Sequence, residues 1–105
     1  MKRKNSRAMV EGAVYQGYAG LVLAVTTYKE QPNHNVIFHY DFHKLLGTVR
    51  EFLDTSEDLQ VAGQALLRIA RDFDREVPNK GELTENALEQ TFAALVPHFE
   101  ASTGG

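Results

Sequence analysis

The chain has no cysteine, which excludes disulfides, thiolate nucleophiles and cysteine-based zinc sites. That absence agrees with a cytoplasmic protein, the expected location. Catalytic signatures are missing as well. There is no G-x-S-x-G elbow, no P-loop and no H-E-x-x-H pair, so neither an enzyme nor a cofactor is expected. Long apolar runs are scarce. The run Ala19–Val25 is broken at Gly20, and no stretch approaches the ~20 residues expected of a membrane span. Glu11 and the lack of an A-x-A-like site argue against a secretory signal. Acidic side chains are absent from the first seven residues, MKRKNSR, which hold Lys2, Arg3, Lys4 and Arg7. Setting those four cations aside leaves seven basic against fourteen acidic residues, a net of −7. The body is acidic and the start is basic.

What is present is an ordinary globular composition. Of 105 residues, 43% are hydrophobic and 24% charged, a balance that sustains one modest core rather than disorder. The expected organisation is a disordered basic arm over 1–7, a single helical domain over 8–100 and a flexible tail over 101–105.

Four segments carry helical periodicity. The first runs from about Ala8 to Glu30. Met9, Val10, Ala13, Val14, Gly17, Leu21, Ala24, Val25 and Tyr28 recur on one side. The opposite side, with Glu11, Tyr15, Tyr18 and Val22, is only partly polar. A helix apolar over so much of its circumference is usually covered on more than one side. Pro32 ends it. The second segment, about 35–54, fits a helix through Phe38, Phe42, Leu45, Val49 and Phe52. Its start, NVIFHYDF, also alternates like a strand. The rival is therefore an α+β domain with a hairpin of LVLAVTTY and VIFHYDF. The third segment has a cap at Thr55 or Ser56 and acids in its first turn. Its stripe is Leu59, Ala62, Leu66, Ile69, Ala70, Phe73 and Val77, and Pro78–Gly81 is a turn. The fourth starts near Thr84 and buries Leu88, Phe92, Leu95, Val96 and Phe99. Pro97 marks its kink or end. An all-α, four-helix domain is the expectation.

Several constellations carry less than they first suggest. Glu76–Ala87 has the glycine of a calcium loop, but Pro78, Lys80 and Ala87 stand where oxygen ligands belong. His39 and His43 share a helical face and would need a third ligand, with His34 nearby, to hold zinc. Histidine-based metal binding is one alternative function. Asp72 and Asp74 point in different directions on a helix and suit an ion-pair face with Arg68, Arg71 and Arg75. The basic arm could meet phosphates, making a DNA-binding accessory a second alternative. The acidic body and a fourth helix without Lys or Arg disfavour direct nucleic-acid binding.

Ala13, Gly17, Gly20 and Ala24 are spaced by four, three and four, a stripe of small residues that lets another backbone approach. Together with the aromatic surface of the N-terminal half, it marks a protein interface. The expected interface residues are Val14, Gly17, Tyr18, Leu21, Val22, Val25, Tyr28, Phe38 and Phe42, and a homodimer is expected.

With EGAVYQGYAGLVLAVTTYKEQ and FHKLLGTVREFL as its apolar segments, the chain resembles the small helical antiactivators of quorum sensing, the QslA type among them. The resemblance implies a bacterial, non-enzymatic regulator. Its partner would be a LuxR-type transcription activator, prevented from dimerising or from binding its promoter.

Overall fold

A computed structural model describes residues 3–29, 42–55, 58–78 and 80–104, with side chains described for 7–29, 42–55, 58–78 and 80–99. Four helices occupy them: α1 (Arg3–Lys29), α2 (Phe42–Thr55), α3 (Leu59–Glu76) and α4 (Glu82–Gly104). The all-α expectation holds. LVLAVTTY lies wholly inside α1, so the hairpin alternative has lost its first strand, and no strand occurs among the described residues. Residues 30–41, including the start of the second segment, lie outside them. Helix α1 begins at Arg3, so 3–7 form its first turns. Lys, Arg, Asn and Ser carry no strong helix penalty there. Helix α4 continues through Pro97 to Gly104, past the expected kink or end and into the expected tail.

The most extensive packing joins α1 to α4, and α3 packs on both. A Cβ built at Gly17 would lie 2.7 Å from the Leu95 side chain, and one at Gly20 would lie 3.3 Å from the Ala87 carbonyl. The two helices are therefore antiparallel and closely apposed. The small-residue stripe is where α4 seats. Val14, Leu21 and Val25 flank it at 0% exposure, as does Ala24 within it.

A second junction is aromatic. Phe73 of α3 meets Tyr28 of α1 edge-on, centroids 5.8 Å apart, and Phe42 of α2 at 5.2 Å. These edge-to-face contacts join three helices at one end. The buried face of α2 is Phe42, Leu46, Val49 and Leu53, one residue round from the expected Leu45 and Phe52. Both sets step by four and three, so spacing alone does not separate them. Phe52 is exposed, and Leu45 packs only partly.

Asp58, not Thr55 or Ser56, caps α3, its carboxylate accepting from the Val61 N–H at 3.4 Å. Thr55 ends α2 and donates to the Glu51 carbonyl at 2.8 Å. Ser56 lies outside the described residues. At the other end, Lys80 Nζ donates to the carbonyls of Val77 (2.9 Å) and Asp74 (3.1 Å) and pairs with the Asp74 carboxylate at 3.2 Å. A cation at the negative end of a helix dipole satisfies carbonyls the helix cannot. Gly81, at φ 87°, turns the chain in a region that only glycine adopts readily. Its carbonyl then accepts the Glu85 N–H at 3.0 Å.

The expectation that no segment reaches membrane length needs correction. Arg7–Lys29, 23 residues that contain an 18-residue window of mean hydropathy 1.3, is long and apolar enough to cross a membrane by length and composition. The glycines, tyrosines and threonines that interrupt its apolar runs are only mildly polar. From Gly12 to Tyr28 it carries no charge. A third of that 18-residue window is buried inside the protein.

The glycines give a test of the packing. A Cβ at Gly63 would collide with the ring of Phe99, which is itself 1% exposed and hemmed in, whereas one at Gly47 meets open space. Gly63→Ala is expected to lower stability by about 1–3 kcal/mol through overpacking. Gly47→Ala is expected to raise it by about 0.5–1 kcal/mol through helix propensity. Urea denaturation of both variants checks the pair. Equal effects would mean that Phe99 does not sit against Gly63.

Candidate protein-binding face on helices α1 and α4

The residues expected at an interface are mostly inside the chain. Val14, Leu21, Val25, Tyr28 and Phe42 are 0–3% exposed, and Gly17 lies beneath Leu95. Tyr18 and Val22 are half-buried against the same core. Phe38 lies outside the described residues. Five of these side chains are fully occupied by intrachain packing in this conformation. The apolar side that periodicity singled out in α1 is the side that α4 and α3 cover.

The other side of α1 is open. Ala8, Gly12, Gln16, Ala19, Leu23 and Thr26 step by four, four, three, four and three, and all are exposed. Met9, expected in the core, is 57% exposed, and Leu23 is 56%. On α4, Leu83, Asn86, Gln90, Ala93 and Pro97 step by three, four, three and four and are likewise exposed. Leu83 stands out at 69%. The two stripes lie side by side. A groove of about 470 Å³ runs between them, lined by Ala8, Met9, Gly12, Ala13 and Gln16 of α1 and by Gln90, Ala93, Ala94 and His98 of α4. Neither stripe contains a charged residue.

The acids of α4 (Glu82, Glu85 and Glu89) border this stripe, with Glu82 and Glu89 next to Ala93 in helical phase. This uncharged, partly apolar face on an acidic body is the candidate binding face. The signal was present in the sequence as the charge-free run from Gly12 to Tyr28, which weighting apolar positions alone passes over.

A second concavity, of about 390 Å³, has the opposite character. Gln64, Leu67, Arg68, Arg71, Asp72 and Arg75 line it, with Phe99 at its floor. Asp72 accepts from Arg75 at 2.8 Å, while Asp74 pairs with Lys80 on another side. The two carboxylates therefore serve separate ion pairs, in line with the reading of a charged helix face.

Among the described residues no group of three or more His, Asp or Glu could hold a metal ion. His43 is exposed on α2; His39 and His34 lie outside the described residues. No protein-family model, curated protein or solved structure matches the chain.

Tyr15 marks one margin of the α1 face. Its hydroxyl donates to the Leu53 carbonyl (3.4 Å) and the Asp54 carboxylate (3.3 Å), tying α1 to α2. Partial desolvation there, then the charge and hydrogen bond of Asp54, raise its pKa above the ordinary 10.0. A raised value means that the neutral phenol is favoured in the folded state. The contribution is complete below the ordinary tyrosine value and is lost as pH rises through the raised one. Asp54→Asn is expected to move the Tyr15 titration back down, read by ultraviolet difference absorbance. An unmoved titration would show that the Tyr15–Asp54 contact does not form in solution.

Proposed function

We propose that this protein is a small non-enzymatic regulator that acts by binding another protein. The observation that carries the reading is the uncharged, exposed face of α1 and α4, with Met9, Leu23 and Leu83 standing out from it. Apolar side chains around shallow small-residue surface are what a partner helix packs into. The absence of charge on the face makes its contact less dependent on salt than an ion-paired one.

The partner class follows from the resemblance to the quorum-sensing antiactivators. In this proposal it is a LuxR-type transcription activator, whose own apolar helix surface the face competes for. Occupying that surface keeps the activator from dimerising or from reaching its promoter. The cytoplasm, where such activators work, is the corresponding location.

The test pairs the parent with Leu23→Glu, which places a charge at an exposed position and leaves the core intact. The parent is expected to retain a transcription regulator from host lysate and to release that regulator from promoter DNA in a gel shift. Leu23→Glu, with unchanged helicity, is expected to lose both by tenfold or more. A regulator that stays on its DNA at saturating parent protein would sink the reading.

A further inference from the structure

We infer that the arginine-lined groove of α3 is a docking site for an acidic peptide segment of a partner protein. Arg68, Arg71 and Arg75 follow one another by three and four residues, and all are exposed. That spacing sets them in one row, with rises of about 4.5 and 6 Å between neighbours. They line the concavity of about 390 Å³ together with Gln64, and Leu67 and Phe99 close its inner side.

Charge is the first argument. Beyond position 7 the chain carries fourteen acids against seven bases, and three of those seven stand in this row. One acid, Asp72, lines the groove with them, and Arg75 occupies it at 2.8 Å. Asp74 is held by Lys80. Arg68 has no ion-pair or hydrogen-bond partner among the described residues. Like charges at these spacings repel along a helix, and an anion laid along the row replaces that repulsion with attraction. Each guanidinium presents a planar pair of donors that fits a carboxylate.

Shape and surroundings select the ligand. From Gln64 to Arg75 the row spans about 16 Å of helix. It is open to solvent, the Arg75 side chain being 68% exposed. Small-molecule sites enclose most of their ligand, and this groove has no such cover. A linear ligand with carboxylates at matching three- and four-residue spacing meets all three arginines. An extended polyanion, such as nucleic acid or an anionic membrane, would bring its charge against the acidic body as well. A short acidic segment touches the row and little else. The site shares no lining residue with the α1–α4 groove, so it goes beyond the function proposed above and is tested separately.

The probe is a fluorescein-labelled, alanine-based helical peptide with glutamates three and four residues apart, beside a counterpart with glutamine at those positions. Fluorescence anisotropy is read at about 10 mM salt, where the screening length is about 30 Å. The glutamate peptide is expected to bind at least tenfold tighter than the glutamine one, and to weaken as salt is raised. Arg68→Gln combined with Arg71→Gln, with helicity unchanged, is expected to lose at least tenfold. Lys44→Gln combined with Arg50→Gln removes the same charge from the exposed side of α2 and is expected to stay within twofold of the parent. Equal losses in the two double variants, or equal binding of the two peptides, overturn the inference. So does tighter binding of duplex DNA, inorganic phosphate or phosphatidylserine vesicles in competition with the peptide. A parent that captures its regulator and ignores the glutamate peptide overturns this site alone. A parent that binds the peptide and captures no regulator overturns the function proposed above and leaves this site standing.

Discussion

The close antiparallel seat of α4 on α1 is the contact on which the rest of the molecule depends. It exists because Gly17 and Gly20 present almost no side chain where Leu95, Thr91 and the Ala87 carbonyl press in. Each glycine weakens the helix by roughly 1 kcal/mol, and close packing along the seat offsets that. Once α4 is seated, Val14, Leu21 and Val25 are sealed on one side of α1. Helix α3 then packs across the pair and brings Phe73 between Tyr28 and Phe42. The uncharged side of α1 can face only outward.

The two sides of α1 differ. Its inner side is committed to the fold, and its outer side carries apolar residues with no intrachain partner to cover them. That division explains why α1 reads as apolar nearly all round and passes the length and composition criterion for a membrane span. Charge lies on the exposed side of α4, on the arginine-lined groove of α3, on the exposed side of α2 and, in α1, at Glu11 and the helix ends.

The fold was largely legible because periodicity reports burial. The stripe of α3 from Leu59 to Phe73 and the PNKG turn followed from spacing and turn chemistry. The face of α2 was misplaced by one residue, because Leu45 and Leu46, and Phe52 and Leu53, are neighbours of equal apolarity. Asp58 was passed over as a cap in favour of Thr55, whose hydroxyl is turned back to Glu51. The candidate site was legible in kind and not in place. The small-residue stripe announces close approach but does not name the helix that approaches, and here α4 of the same chain is long enough to fill it. The outer face shows itself only when exposed positions of two helices distant in sequence are set side by side.

The central claim, that Gly17 and Gly20 of α1 seat α4 of the same chain, is tested most directly by nuclear Overhauser contacts in isotopically labelled protein. The account predicts contacts from the Leu95 methyls to the Gly17 α-protons. Leu95 methyls without contacts to Gly17 would contradict it.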